Sequence, residues 1–358
     1  MPSNKNPYEN LPESSFWRPA VANKHFDDFE DIAAPLDISI SNSVATAGSC
    51  FAQHIGKALL ARGARYIDLE PAPGNLSSTE AKAHGFGIYS CRYGNIYTAR
   101  QLRQLIQEAY GDFTPVELVW ERGGRYFDAM RPSVDPVGHR SPDIILQARE
   151  KHLAKVRELL GSVDVFVFTL GLTETWELKA DGTVFPVCPG TIAGEFSDDK
   201  YQFRNLNYQE TIEDMKVFNS YLQKANSAAK LLLTVSPVPL TATASGKHVL
   251  EATMYSKSTL RAVAGDLAAI CSNVRYFPSY ELITSHPMRG TFFNPDLRTV
   301  NMHGVNYVMK HFFSSISGGT NSIPAEQQAS DNAIICDEEK LDAHASDRRQ
   351  GLRTRLGY

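Results

Sequence analysis

The 358-residue sequence has no apolar stretch long enough to cross a membrane. Its N-terminus is polar and rich in proline, without the apolar core of a secretory signal. The longest apolar run, at residues 163–172, has the length of a buried β-strand. The sequence therefore predicts a cytoplasmic protein with no transmembrane segment.

Cysteine is scarce, and no Cys-x-x-Cys pair is present. The five cysteines are odd in number and widely spaced: Cys50, Cys91, Cys188, Cys271 and Cys336. This pattern fits reduced thiols better than a disulfide framework or a zinc site, and Cys188 is expected to be structural. No group of His, Asp and Glu has the spacing of metal ligands either, so we expect no metal and no other cofactor.

A strong charge of either sign is also missing. The chain has 36 Lys and Arg against 40 Asp and Glu, a net charge of -4. This balance leaves no electrostatic footprint for nucleic acid, so no nucleic-acid partner is expected. With 42% hydrophobic residues, the composition is that of a globular protein large enough for one α/β domain with insertions. This composition is compatible with a homo-oligomer.

Strand-like and helix-like segments alternate through most of the chain. Apolar runs at 163–170 and 230–238 are typical of buried parallel strands. Amphipathic helix patterns cover residues 142–160, 208–225 and 249–270. This alternation predicts a three-layer α/β/α sandwich with a central, mostly parallel sheet.

The other segments divide the chain into three predicted parts. Residues 1–36 form an N-terminal arm punctuated by proline, and residues 37–315 form the α/β domain. Residues 316–358 form a polar tail, flexible or able to dock a partner. Within the domain, the segments near 113–142 and 177–207 are expected to be insertions.

The most informative stretch is a strand-to-helix corner at residues 43–60. A β-like run ends in a small turn at Gly48 and Ser49, and an amphipathic helix pattern follows. Unpaired backbone amides and partial positive charge gather at such a helix start, where an oxyanion can be held. From the corner alone, Ser49 is either a helix cap or a nucleophile.

The corner reads GSCFA at residues 48–52, and with several later blocks it resembles the GSCFA domain family. The later blocks are YGNIYT, TLGLTE, TVSPV, SK and YFPSYE, at residues 93–98, 169–174, 234–238, 256–257 and 276–281. The fold of this family is similar to that of the SGNH (GDSL-like) hydrolases. The resemblance extends from about residue 6 to residue 313. It implies an SGNH/flavodoxin-like sheet and makes Ser49 the nucleophile.

The resemblance also suggests groups that stabilise an oxyanion. In the superfamily a second-block glycine lends its backbone amide, and Gly94 is the nearest match here. Gly94 and Asn95 precede a predicted helix, so both are expected on the same rim as Ser49, with Asn95 contacting substrate. A simple turn glycine is the alternative for Gly94.

A third donor in the superfamily is an asparagine side chain, and Thr173 stands in its place here. Its hydroxyl can donate a hydrogen bond, so we expect Thr173 in the oxyanion hole. Gly171, Glu174 and Trp176 leave the carboxyl end of the same apolar strand. Open α/β sheets bind ligands at that end, so these three residues are predicted to contact substrate.

The expected catalytic histidine is missing from its place. The SGNH pattern has Asp-x-x-His ahead of the last helix, and the resemblance puts these positions on Asp296 and Thr299. His303 lies one helical turn further on, and His286 lies in the loop after the last strand. We expect His303, with Asp296, to be the base and His286 to contact substrate. His286 as the base, Glu174 as the base, or no catalytic histidine at all, remain alternatives.

These features imply a serine esterase or O-acyltransferase of the deacetylase or acetyltransferase type. Its substrate would be a small-molecule or glycan acyl ester, such as an acylated carbohydrate. The alternative is an inactive binding or accessory protein of surface polysaccharide metabolism, suggested by the histidine missing at Thr299. A metal-dependent hydrolase is disfavoured because no ligand cluster is present.

Overall fold

The structure, a computed structural model, describes residues 6–319 and Asp337. Most of the predicted polar tail, residues 316–358, therefore lies outside the described residues. The domain boundaries predicted at residues 36 and 315 stay predictions.

Nine strands and eight α-helices succeed one another in the described part of the chain. The strands are β1 Val44–Gly48, β2 Val119–Arg122, β3 Arg125–Asp128, β4 Val165–Leu170, β5 Glu174–Leu178, β6 Val184–Phe185, β7 Tyr201–Asn205, β8 Lys230–Val235 and β9 Val274–Tyr276. The helices are α1 Ala52–Ala61, α2 Ser78–Ala83, α3 Ala99–Tyr110, α4 Pro142–Ser162, α5 Tyr208–Ala225, α6 Val249–Ile270, α7 Ser279–Thr284 and α8 Met302–Ser314.

Four parallel strands form the central sheet in the order β1-β4-β8-β9. In the register of the sheet, Gly48 lies beside Thr169, and Thr169 lies beside Thr234. Since all four strands run the same way, their carboxyl ends meet at one edge. Ligand sites of open α/β sheets form at this edge.

The sheet is covered on both faces because its strands are apolar on both sides. On one face, Ala47, Phe168 and Leu233 pack in a cluster with residues of α3, α4, α5 and α6. On the other face, Val167 and Leu232 pack with residues of α1 and α8. The predicted three-layer α/β/α sandwich with a parallel sheet is therefore confirmed.

The two segments expected to be insertions form small antiparallel sheets. Strands β2 and β3 make a hairpin, and β5 pairs with both β6 and β7. Trp120 of the hairpin packs on Phe185 of β6, with ring centroids 5.0 Å apart. The two sheets thus share one hydrophobic cluster beside the main sheet.

The N-terminal arm packs against α8. The Phe26 ring lies 5.8 Å from the Phe292 ring, and Tyr307 Oη donates to Phe26 O at 3.0 Å. Leu36 N donates to Ser315 O at 2.9 Å, which joins the end of the arm to the end of α8. Among the helices of the described residues, none is long and apolar enough to cross a membrane.

Candidate active site

Gly48 lets β1 turn sharply at the carboxyl edge of the sheet. Its φ is 140°, a conformation that side chains disfavour, and a Cβ there would lie 2.5 Å from Thr169 O. Only glycine allows the two strands to approach so closely at this point. The chain passes directly from Gly48 into Ser49, and α1 begins three residues later at Ala52.

Ser49 is enclosed at this corner, and its side chain packs against Gly171. A Cβ on Gly171 would lie 2.9 Å from Ser49 Cβ and 3.4 Å from Ser49 Oγ. Ser49 is 3% exposed, and its Oγ has no hydrogen-bond partner among the described residues. A buried hydroxyl without a partner lowers stability. Stability therefore does not explain a serine here, and the cap interpretation, which needs a bonded hydroxyl, is not supported.

The loop after β4 is held from two sides. Gly171 N donates to Tyr97 O at 3.2 Å, in the turn before α3. From α6, Ser256 Oγ accepts a hydrogen bond from Thr173 N at 3.0 Å, and Lys257 Nζ donates to Gly171 O at 2.6 Å. Two consecutive polar residues of α6 thus fix the backbone that packs on Ser49.

Thr173, the predicted oxyanion donor, directs its hydroxyl proton elsewhere. Its Oγ1 donates to Asn205 Oδ1 at 2.7 Å, and the residue is fully buried. A hydroxyl has one proton to donate, so in this arrangement Thr173 has none for an oxyanion. Its predicted role remains without structural support.

Glu174 and Trp176 belong to β5, in the antiparallel sheet next to the corner. Glu174 Oε1 accepts from Thr243 Oγ1 at 2.7 Å, and burial raises the pKa of this carboxyl. The Trp176 ring meets Phe196 and Phe203 edge-on, at centroid distances of 5.1 and 5.8 Å. Both residues are half-buried. Their contact with substrate remains a prediction.

Asn95 lies in a buried polar cluster that reaches Ser49. Tyr89 Oη donates to Asn95 Oδ1 at 2.6 Å and also lies 3.0 Å from Ser49 O. On its other side, Asn95 Nδ2 donates to Asp337 Oδ2 at 2.9 Å. Asp337 is 3% exposed, and its N donates to Tyr97 Oη at 3.2 Å. Asn95 is thus a side-chain amide that already holds a carboxylate oxygen. Gly94, in the turn just before it, has φ 68°.

The predicted base and its partner do not contact each other. His303 lies in the first turn of α8 with its side chain 55% exposed, and its Nε2 lies 3.5 Å from Asp27 Oδ1. The Asp296 carboxylate instead accepts from Thr299 Oγ1 at 2.7 Å and from the backbone N atoms of Arg298 and Thr299. Asp296 therefore organises its own turn.

His286 also faces the N-terminal arm. It begins the short 3₁₀ turn His286–Met288, and its ring stacks on Trp17 at a centroid distance of 5.3 Å. Both histidines that the sequence offered near the last helix thus contact residues of the arm. Their catalytic and substrate-binding roles remain predictions.

Neither a reactive thiol at Cys188 nor a metal centre has structural support in the part of the chain described. Burial raises the pKa of Cys188 to about 11, so its sulfur is a thiol at neutral pH. Within residues 6–319 and Asp337, no group of three or more His, Cys, Asp or Glu residues could hold a metal ion.

Two buried residues near Ser49, Lys257 and Asp337, were not among the site residues predicted from the sequence. Lys257 had a detectable signal, because it falls on the buried stripe of α6 that also contains Thr253, Leu260 and Ala264. A lysine on such a stripe is unusual. Asp337 had no local signal, since its place beside Asn95 depends on contacts 242 residues apart in sequence.

The family model that matches this chain is that of the GSCFA family, over residues 43–312. The chain therefore belongs to the GSCFA family, as its motifs predicted. No curated protein matches it. One similar solved structure, a mutant acetyl esterase with an acetate ion, is 10% identical, and the likeness covers 75% of this chain and 93% of that chain. Its TM-score of 0.31 is too low to carry an argument.

Proposed function

We propose that this GSCFA-family protein is a serine-dependent esterase or O-acyltransferase with Ser49 as its nucleophile. The observation that supports the proposal most directly is the buried Ser49 hydroxyl, which packs on Gly171 at the carboxyl edge of the sheet and has no hydrogen-bond partner among the described residues. Structural serines of comparable burial in this protein are bonded: Ser90 Oγ, for example, accepts from Thr46 N at 3.0 Å. A hydroxyl kept apart in this way is available for reaction.

In the proposed reaction, Ser49 Oγ attacks the acyl carbonyl carbon and the ester bond to the leaving oxygen breaks. Negative charge develops on the carbonyl oxygen and needs donors. We assign one of them to Asn95 Nδ2, because Asn95 belongs to the buried polar cluster in which the Tyr89 hydroxyl contacts both Asn95 and Ser49 O. The backbone amide of Gly94 is a second proposed donor, on the strength of the family motif.

The acyl-enzyme then passes its acyl group to water or to a sugar hydroxyl. Both acceptors use the same nucleophile and the same oxyanion donors. We propose an acylated carbohydrate as the substrate class. The support is the half-buried pair Glu174 and Trp176, which follow the Gly171 loop in β5 and offer a carboxylate and an aromatic ring for sugar contacts.

A binding protein without turnover is the second candidate. It is favoured by the occupied amide of Asn95, which already bonds a carboxylate of the chain itself. It is also favoured by the Ser49 hydroxyl, to which no base among the described residues is hydrogen-bonded. Such a protein would bind the acyl ester and leave it intact.

A fluorophosphonate probe separates the two candidates. We expect the probe to label the full-length protein on the tryptic peptide that contains Ser49, and Ser49→Ala to abolish labelling and hydrolysis of acetyl esters. Because the Ser49 hydroxyl has no hydrogen-bond partner among the described residues, Ser49→Ala should keep the wild-type melting temperature. Ser90→Ala, which alters an equally buried serine, is the matched control and should still be labelled.

Absence of labelling in the wild-type protein would reject the enzyme in favour of the binding protein. Equal ester hydrolysis by wild type and Ser49→Ala would reject Ser49 as the nucleophile.

A further inference from the structure

His152 and Glu70 form a buried pair that the proposed reaction does not use. His152 lies on the inner face of α4 and is 1% exposed, and its Nδ1 lies 2.6 Å from Glu70 Oε2. The same carboxylate oxygen accepts a hydrogen bond from Arg92 N at 2.7 Å. His152 and Glu70 are 82 residues apart in sequence, so the packing of the fold brings them together.

The partner of His152 determines which ring nitrogen has the hydrogen. Burial disfavours the charged imidazole and lowers the pKa of His152. Burial opposes ionisation of Glu70 as well, but the hydrogen bond from His152 outweighs it, so the pKa of this carboxyl is also lowered. At neutral pH the pair is therefore a neutral imidazole beside a carboxylate. A carboxylate only accepts hydrogen bonds, so Nδ1 has the hydrogen and Nε2 has a lone pair.

This lone pair lacks a donor in the described part of the protein. His152 Nε2 is buried and has no hydrogen-bond partner among the described residues. Most buried polar atoms in proteins are bonded, and those without a protein partner commonly bond an ordered water. The unsatisfied Nε2 therefore points to a bound donor that is not part of the chain.

His152 lines a cavity of about 20 Å³ between α3, α4 and the segment after β3. About 10 to 15 Å³ of such space is enough for one water molecule. The cavity wall contains apolar side chains and six polar or charged ones. These six are Tyr93, Gln101, Gln104, Glu108, Arg131 and Arg149.

The amides and the hydroxyl of the cavity wall donate elsewhere. Gln101 Nε2 donates to Asn95 O at 2.9 Å. Gln104 Nε2 donates to Gly182 O at 2.8 Å. The Tyr93 hydroxyl donates to a backbone oxygen of β1. None of these three groups is therefore directed at the imidazole.

The two arginines of the wall differ in how many of their nitrogens are used. Arg149 bonds Glu108 and Asp128 through all three of its side-chain nitrogens. Arg131 donates through Nε to Asp128 at 2.7 Å and through Nη1 to Arg92 O at 2.8 Å. A guanidinium has five N–H groups, so Arg131 can still donate through Nη2.

We propose that this cavity binds one water molecule, which donates a hydrogen bond to His152 Nε2 and accepts one from Arg131. A buried water needs two to four polar partners, and these two residues provide an acceptor and a donor. After burial, the positive charge of Arg131 is the next cause of the lowered pKa of His152, so the guanidinium lies close to the imidazole.

The water links two groups that hold the same peptide. Glu70 accepts from Arg92 N, and Arg131 donates to Arg92 O. Arg92 leads directly into the turn at residues 93–95. Through His152, the water connects the carboxylate on one side of this peptide with the guanidinium on the other. The inference does not depend on the proposed reaction, because none of these groups takes part in it.

A crystal structure of the full-length protein, at a resolution that shows ordered water, tests the proposal directly. We expect one water within about 3.2 Å of both His152 Nε2 and an Arg131 nitrogen. A dry cavity would overturn the proposal. So would an ion or a buffer molecule at that place, or a protein donor bonded to Nε2.

Magnetic relaxation dispersion of water counts long-lived internal waters in solution. We expect His152→Phe to contain one fewer than the wild-type protein, because a phenyl ring of similar size has no lone pair. His303→Phe is the control, since the His303 side chain is 55% exposed, and it should keep the wild-type count.

An unchanged count in His152→Phe, or an equal loss in His303→Phe, would overturn the proposal. If His152→Phe fails to fold, the crystal structure of the wild-type protein decides alone.

Discussion

The carboxyl end of β1 and the first turn of α8 differ in how firmly the protein holds their polar side chains. At the end of β1, Ser49 is 3% exposed and packs on Gly171. The Gly171 backbone is hydrogen-bonded to Tyr97, just before α3, and to Lys257 of α6. At the start of α8, His303 is 55% exposed beside Asp27. Catalysis needs groups held within a fraction of an ångström of their productive positions. The enclosed end of β1 offers such positions, and the exposed turn of α8 does not.

The difference favours a base inside the protein over one on its surface. An exposed imidazole paired with a surface carboxylate is screened by water and free to change rotamer.

The largest effect in this comparison is expected from Asn95→Ala. If Asn95 Nδ2 stabilises the oxyanion, its loss should lower the turnover of acyl esters about 10² to 10³ fold. Thr173→Val is the matched variant, because the Thr173 hydroxyl donates to Asn205 and has no proton for the oxyanion. It should lower turnover far less. A greater loss in Thr173→Val than in Asn95→Ala would restore Thr173 as the donor, and steady-state kinetics on one acetyl ester decides between them.

A smaller effect is expected from Gly171→Ala. The new Cβ would lie 2.9 Å from Ser49 Cβ and 3.0 Å from Tyr97 O, so Ser49 has to shift. A displacement on the order of 1 Å costs about a hundredfold in rate, and we expect that loss in fluorophosphonate labelling. Gly161→Ala in α4 is the control, since a Cβ there meets nothing within 4 Å. Unimpaired labelling of Gly171→Ala would show that Ser49 is less tightly held than its contacts suggest.

His303→Ala should have a smaller effect still. Its imidazole contacts Asp27 and the edge of Phe292, so its removal should change the labelling rate of Ser49 by only a small factor. If His303 is the base, as the sequence predicts, His303→Ala should instead slow labelling strongly, because loss of a general base costs about 10² to 10⁴ fold. Labelling kinetics of His303→Ala beside His286→Ala therefore rank the two candidate histidines. A large loss confined to His303→Ala would make His303 the base.

The smallest effect concerns stability and contrasts His303 with His311 on the same helix. Burial, together with the charge of Lys310, lowers the pKa of His311 from 6.5 to about 4. Because the folded pKa lies below the unfolded one, protonation favours unfolding, and stability falls as pH falls from about 6.5 to about 4.

We expect His311→Phe to reduce this dependence by up to about 1.4 kcal/mol per pH unit within that window. Urea unfolding at a series of pH values measures it, with His303→Phe as the exposed control from the same helix. An unchanged pH slope in His311→Phe would mean that another group, such as buried His152, dominates acid unfolding.

Regular elements with strong periodicity were predictable from the sequence. The bounds of α5 and α6 agree with the amphipathic patterns at 208–225 and 249–270, because each stripe packs on the same side of the sheet. Strand β8 ends at Val235, before the predicted end at residue 238, because Pro237 cannot donate a ladder hydrogen bond. Periodicity identifies elements well, and their ends depend on local bonding.

The sequence by itself determined the fold class, the family and the position of Ser49 at a strand-to-helix corner, because local patterns and short motifs carry that information. Only the tertiary structure decided which polar groups surround this serine. Lys257 reaches Gly171 from a helix 86 residues further along the chain, and Asp337 reaches Asn95 from 242 residues away. Side-chain bonds between such distant residues follow from how the layers pack, and no local pattern in the sequence records them.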